Sequence, residues 1–213
     1  MVMRHIRRIK NKFASIARRI FKKKRDIKIG LYGPVNSGKT TLANRICVDW
    51  LGEEMGAVSA IPHETREIMT KERVTVREDG KSITFNLVDT PGIATKIDFE
   101  DFLKFGMKRK DAKQRAKEAT KGVIESIKWL DSMDMVMVVL DATKSPINQV
   151  NITILGNLDA RNIPLIIVSN KVDLKKSDTT RIRSAFQGYD VIGISAKSGH
   201  MMNELYKMLM NKM

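Results

Sequence analysis

Gly33-Pro34-Val35-Asn36-Ser37-Gly38-Lys39-Thr40 is the stretch on which the reading of this chain turns. It follows the P-loop pattern: a glycine, four free positions, then Gly-Lys-Ser/Thr. Its flanks fit that pattern. Asp26 to Tyr32 reads as a strand, with Ile27, Ile29 and Leu31 alternating with Lys28 and Gly30, and Thr41 to Leu51 reads as a helix. Glycines let the backbone curl tightly, so that its N–H groups point inward at a polyphosphate. The helix N-terminus behind the loop adds partial positive charge. In such a loop Lys39 reaches the β- and γ-phosphates and the Thr40 hydroxyl ligates Mg²⁺. Asn36, Ser37, Gly38 and Thr41 complete the expected cradle.

The 213 residues suit one domain with a substantial core, and 42% apolar with 30% charged residues describes a soluble globular protein. No uninterrupted apolar run approaches the roughly 20 residues needed to span a bilayer. The single cysteine, Cys47, falls inside the first helix, where buried filler is its expected role, and nothing indicates an oxidising compartment. A cytoplasmic protein, with peripheral membrane contact as an open option, is the resulting expectation. The net charge of +15 is unevenly placed. Residues 1–25 hold eleven Lys and Arg and no acid, which leaves +4 for residues 26–213. The expected organisation is therefore a basic arm, 1–25, followed by one domain, 26–213.

The arm has its own pattern. Val2, Ile6, Ile9, Phe13, Ile16 and Ile20 are spaced to share one face of a helix, with the basic residues mainly elsewhere around it. Such an amphipathic helix can lie on an anionic membrane, grip RNA or DNA phosphates, or dock on a partner or its own domain. Charge pattern alone does not separate these. A secretory signal does not fit an amphipathic stripe without an apolar core run, whereas an organellar transit peptide shares the Arg-rich, acid-free character.

From Asp26 strand and helix signals alternate, as a parallel α/β sheet requires. Gly52 to Thr70 reads as a loop. Arg73 to Glu78 and Ile83 to Val88 flank Asp79-Gly80 and read as a hairpin. The second run leads into Asp89-Thr90-Pro91-Gly92: an acid at a strand end to orient Mg²⁺, then a glycine whose N–H senses the γ-phosphate. Ile93 to Thr120 is long, polar and basic, and a helix is expected over Asp98 to Lys121, continuing toward Trp129. Its basic stretch, 108–121, is either a solvated face or a surface for nucleic acid or anionic lipid. Met135 to Leu140 and Leu165 to Val168 read as buried strands, with a helix over Ile147 to Leu158 between them. The later strand runs into Asn170-Lys171-Val172-Asp173. A carboxylate at Asp173 can accept from both guanine N1–H and the 2-amino group, and adenine offers neither donor there. Asn170 braces the pocket and the Lys171 stem covers a base face in this reading. Ser195-Ala196-Lys197, after a strand over Val191 to Ile194, completes it, with the Ala196 N–H meeting guanine O6. A final helix places Met202, Leu205 and Leu209 on one face.

In this order the motifs resemble the G domain of the translation-factor class of GTPases, and most of all its Era/TrmE/EngA branch, over about residues 26–213. The resemblance implies a P-loop NTPase fold: an α/β three-layer sandwich whose mostly parallel sheet has one antiparallel edge strand, here with an N-terminal amphipathic helix added. Pro62-His63-Glu64-Thr65-Arg66-Glu67 is similar to the branch's switch I stretch, which implies Thr65 as a second Mg²⁺ hydroxyl in the GTP state. Asn36 sits where branch members with potassium-stimulated hydrolysis carry a cation-binding Asn; the plainer reading is a loop-stabilising residue. Ile93 stands where Ras-like GTPases have a water-positioning Gln, so slow intrinsic hydrolysis is implied. The implied activity is a Mg²⁺-dependent GTP/GDP switch with Lys39, Thr65, Gly92 and Asn36 in catalytic roles. An alternative is a nucleotide-gated tether to membrane or RNA/ribosome with incidental turnover, and a nucleotide-dependent homodimer is a further expectation. Era members add a KH domain, EngA a second G domain and TrmE a folding platform. None is expected within these 213 residues, so the resemblance implies the machine and leaves its client open.

Overall fold

The computed structural model describes residues 26–56, 67–78, 80–94 and 97–213. The basic arm with its expected helix, and Thr65 with most of its switch I stretch, lie outside the described residues. Six strands form one sheet in the order β2-β3-β1-β4-β5-β6. They are β1 (Lys28–Tyr32), β2 (Met69–Glu78), β3 (Lys81–Asp89), β4 (Met135–Asp141), β5 (Leu165–Asn170) and β6 (Val191–Gly193). All neighbouring pairs are parallel except β2 with β3, so the antiparallel strand sits at an edge.

The interior strands read as continuous apolar runs because helices cover both their faces. Every residue of β4, Met-Val-Met-Val-Val-Leu-Asp, and of β5, Leu-Ile-Ile-Val-Ser-Asn, is buried. Side chains alternate between two cores. On one face Ile29, Leu31, Met137 and Val168 meet Leu42, Ile46 and Cys47 of α1 (Lys39–Leu51) and Leu205, Tyr206 and Leu209 of α6 (Met202–Lys212). On the other, Tyr32, Val136, Val138 and Ile167 meet α4 (Gln149–Ala160) through Ile154 and Leu158, and α5 (Thr179–Ala185) through Ile182. The α/β three-layer sandwich expected from the motifs is the fold observed, and Cys47 is buried filler within it. Among the described residues no helix is long and apolar enough to cross a membrane.

Four local differences have physical causes. The hairpin strand β2 starts at Met69 instead of Arg73, because pairing with β3 resumes beyond a bulge at Lys71–Val74 where Arg73 takes φ 55°. The long charged helix is two helices, α2 (Phe99–Leu103) and α3 (Arg109–Trp129). Gly106, at φ 80°, breaks them apart, and the break folds Phe102 back onto Ala112 and Ala119. Helix α4 begins at Gln149, after Ile147, since the Asn148 side chain caps it by accepting from the Asn151 N–H at 2.9 Å. Helix α5 has too short an apolar period to announce itself; its sequence signal is the cap Asp178, which accepts from the Arg181 N–H.

Candidate functional site

The loop between β1 and α1 has the shape that its glycines permit and its neighbours demand. A Cβ on Gly33 would stand 2.2 Å from the Val139 carbonyl oxygen, so no other residue fits against β4 there. Gly38 takes φ 94°, and a Cβ on it would stand 2.2 Å from the Asn170 amide nitrogen. Gly38 is also the N-cap of α1 and supplies no capping side chain, and the first turn of α1 has no acid. The leading N–H groups of α1 are thus directed into the loop, a ready anion cradle. Half-buried Thr41 belongs to that first turn, and the buried Ser37 hydroxyl oxygen has no hydrogen-bond partner among the described residues.

Lys39 is nearly buried, and its ammonium donates to the Pro34 carbonyl at 3.0 Å, closing the loop over itself. Burial pushes its pKa down to about 8, against the opposing pull of the Asp89 charge. Thr40 Oγ1 donates to Asp89 Oδ2 at 2.6 Å. Asp89 is fully buried at the end of β3; burial raises its pKa, while the Thr40 hydrogen bond and the Lys39 charge lower it. Its other oxygen, Oδ1, has no hydrogen-bond partner among the described residues. A buried carboxylate oxygen left open beside a hydroxyl and an ammonium suits a hard cation that itself carries phosphate oxygens.

The segment after Asp89 is tied to the loop. The Thr90 hydroxyl donates to the Leu31 carbonyl at 2.6 Å, and the Ile93 N–H donates to the Gly33 carbonyl at 3.1 Å. A Cβ on Gly92 would stand 2.7 Å from Val35 Cα, so only glycine allows this strand end to lie on the loop. The Ile93 side chain is buried in the core, turned away from any water it could position.

Asn170 joins the remaining parts. Its amide nitrogen donates to the Ser37 carbonyl at 3.0 Å, and its oxygen accepts from the Ala196 N–H at 3.0 Å. Asn170 thus ties the phosphate loop to the Ser195–Lys197 segment. The Ala196 N–H assigned to guanine O6 is engaged inside the chain, so an O6 contact requires that bond to be shared or opened. Lys171, expected to cover a base face, is engaged within the chain as well. Its ammonium donates to the Asn36 carbonyl at 2.7 Å and pairs with Asp141 at 2.8 Å. Burial works to raise the Asp141 pKa, but hydrogen bonds from Lys171 and Thr143 outweigh it and hold it below the usual value. Asn36 takes φ 60°, a conformation Asn tolerates, and its side chain is exposed at the lip of the loop. Asp173 is exposed three residues past β5. Ser195 is buried with its hydroxyl accepting from the Ser198 N–H at 3.1 Å, and the Lys197 side chain is exposed.

Three supporting residues were not foreseen. Arg45 of α1 donates to the carbonyls of Ala196 and Lys197 at 3.3 and 3.1 Å. Buried Asn44 takes the Met55 and Gly56 N–H groups on its amide oxygen, both at 2.9 Å, and donates to the Gly56 carbonyl. Asp141 anchors Lys171. The available signals are an asparagine inside a helix, where its propensity is poor, and an acid ending an apolar strand.

A phosphate-type cradle and a carboxylate-bearing motif thus meet at the carboxyl ends of β1, β3 and β5, the arrangement of the P-loop nucleotide-binding α/β class. Comparison with known proteins narrows the class. A family described as 50S ribosome-binding GTPase matches residues 28–171, and the chain belongs to that family. It is similar to GTPase Der of Clostridium kluyveri, 30% identical over 193 residues that make up 86% of this chain and 38% of Der. It is similar to the tRNA modification GTPase MnmE of Thermotoga maritima, 28% identical over 184 residues, 85% of this chain and 34% of MnmE. The chain therefore spans little more than a third of the length of those relatives. Era of Aquifex aeolicus bound to GDP·AlF4⁻ shares the fold with a TM-score of 0.66 at 20% identity, over 87% of this chain and 56% of that one.

Two predictions come from this geometry. Asn170→Ala leaves two buried partners unpaired and is expected to cost about 2–4 kcal/mol in urea unfolding, whereas exposed Asp173→Ala costs less than about 0.5 kcal/mol. Equal losses would show that the Asn170 bridge does not hold these loops. For Lys39, the folded value of about 8 lies below the unfolded value of about 10.4. The unfolded chain therefore binds more protons between those values, and stability rises with pH across them. Wild-type protein without ligand is expected to gain about 2 kcal/mol over Lys39→Met between pH 7 and pH 9.5. A pH-independent difference would mean that the ammonium is not desolvated.

Proposed function

We propose that this chain is a Mg²⁺-dependent guanine-nucleotide switch that hydrolyses GTP slowly. In this reading residues 26–213 are the G domain and residues 1–25 a basic arm. The observation that carries the proposal is the Asn170 amide, which locks the base motif onto the phosphate loop at the carboxyl end of the sheet. A ligand held there has to present a base and a polyphosphate together. Family membership and the likeness to Der and MnmE support guanine as that base.

The residues then have the following roles. Lys39, already short of solvation, gains a full counter-charge when phosphates enter the loop, which restores its affinity for the proton. The N–H groups from Asn36 to Thr41 cradle the phosphates, with Ser37 and Gly38 at the tightest part of the curl. Thr40 and Asp89 would hold Mg²⁺, which the open Asp89 Oδ1 fits, and Thr65 would add a second hydroxyl. The chemistry such an ion supplies is neutralisation of charge on the transferred phosphoryl group. A solved Era complex contains MgGDPNP, in keeping with that assignment. Gly92 lies on the loop where its N–H can register the γ-phosphate. Asp173 accepts from the guanine edge, Lys171 and Asn170 hold the pocket floor, and Ser195, Ala196 and Lys197 form its rim. Catalysis by this set is positioning and charge neutralisation. Buried Ile93 cannot orient a water, which makes the intrinsic rate slow. We assign the exposed Asn36 side chain a K⁺ that supplements the phosphate charge balance.

For the client, the family description names the 50S ribosome and that Era complex contains nucleotides 1506–1542 of 16S ribosomal RNA. These support an RNA or ribosomal partner for this chain as well.

Asp173→Asn replaces an acceptor by a donor and is expected to weaken GTP binding about a hundredfold or more while improving binding of the xanthine analogue, whose C2 oxygen accepts. Unaltered preference for GTP would sink the pocket assignment. Hydrolysis by the full chain is expected to be several-fold faster in potassium than in sodium at equal ionic strength. Equal rates, with Asn36→Ala indistinguishable from wild type, would remove the cation role.

A further inference from the structure

Helix α3 contains seven basic residues and three acids, and its geometry sorts them. At about 100° per residue, Lys110, Lys113, Lys117, Lys121 and Lys128 fall within an arc of about 80°. All five are exposed. The row runs about 27 Å at 1.5 Å per residue, in steps of three, four, four and seven residues. Asp111, Glu118 and Glu125 lie together on one flank of that row, and Lys121 stands 3.8 Å from Glu125. The two arginines are excluded from it. Arg115 is buried, and Arg109 falls outside the arc; its guanidinium carbon lies 5.6 Å from the centre of the Phe99 ring, over which the Lys113 ammonium of the row also stands at 5.5 Å.

We propose that this lysine row binds the phosphate backbone of RNA. The proposal deepens the RNA part of the proposed function and is independent of the guanine-nucleotide part. The charge pattern selects a polyanion, since five exposed ammoniums in one row, with the carboxylates on its flank, suit a line of phosphates. The packing selects a nucleic acid over a lipid surface. An interfacial helix inserts an apolar face among acyl chains, but the apolar face of α3 is already committed to its own domain. Ala112, Ala119, Gly122 and Ser126 are buried opposite the row, and Val123 and Ile127 pack against the core. Ile124, about half exposed, is the one apolar residue in the lysine arc. Contacts of this kind read charge and spacing, and they carry no base sequence.

The test uses the full chain and a short single-stranded RNA, with affinity measured as a function of salt. Each phosphate neutralised contributes about −0.7 to the slope of log K against log salt for a single strand. The variant Lys113→Gln/Lys117→Gln/Lys121→Gln is therefore expected to lower the slope magnitude by about 2 relative to wild type. A charge-matched control at exposed Arg77, Lys81 and Arg183, each changed to Gln, is expected to leave it unchanged. A fall of equal size in both variants would make the effect one of net charge and overturn the row. An unchanged slope in the α3 variant, with wild type still binding RNA, would overturn the row and leave the RNA client standing. No RNA binding by wild type would overturn both. Vesicles of phosphatidylcholine with phosphatidylserine form the competing arm. Retention on them that is lost in the α3 variant, without loss of RNA binding, would assign the row to lipid instead.

Discussion

The structure depends on one buried amide. Asn170 ends the interior strand β5, and its two ends hold two loops that are far apart in sequence. Remove it, and the Ser37 carbonyl and the Ala196 N–H are left buried without partners, a cost larger than that of most single hydrogen bonds. The same side chain presses so closely on Gly38 that no Cβ can stand between them. Geometry at the phosphate loop and geometry at the base motif are therefore a single constraint. A second cross-brace, from Lys171 to the Asn36 carbonyl, is anchored by Asp141 on the neighbouring strand.

The other side of the loop is held by β3. Asp89 reaches Thr40, and the Ile93 N–H reaches the Gly33 carbonyl, so the end of β3 lies against the first turn of α1. The Tyr32 hydroxyl then donates to the Ser126 carbonyl at 2.9 Å, and the Ser126 hydroxyl contacts the Pro91 carbonyl at 3.5 Å. Helix α3 is thus fastened to the strand that precedes the phosphate loop and to the segment that follows Asp89. The helix that displays the lysine row is mechanically close to the site although its charged face points away from it. Asn44 does the corresponding work for the opposite loop, whose first residues it holds by three backbone contacts.

Much of this was legible in the residues. Glycines at 33, 38 and 92 announce close backbone approach, and each proves to face an atom that a Cβ would strike. Apolar runs at β4 and β5 announce strands covered on both faces. Less legible were elements whose signal is short or non-local. Gly106 divides a continuous charged stretch into two helices, because a left-handed residue outweighs the helix propensity of its neighbours. Arg45, Asn44 and Asp141 act on backbone atoms of distant segments, and no local pattern specifies such partners.

The sequence by itself determined the class of fold, the order of its strands and of most of its helices, and the chemical types of residue at the phosphate loop, the strand-end acid and the base motif. These follow from periodicity, from glycine's lack of a side chain and from the donor and acceptor inventory of each residue. Only the tertiary structure decided which of those groups are engaged and which are open. It left Asp89 Oδ1 without a hydrogen-bond partner among the described residues, committed the Ala196 N–H to Asn170, buried Arg115 and exposed the five lysines of α3. The reason is that burial and pairing are properties of neighbours in space. In this chain the decisive neighbours are separated by tens to more than a hundred residues, as Asn170 is from Ser37.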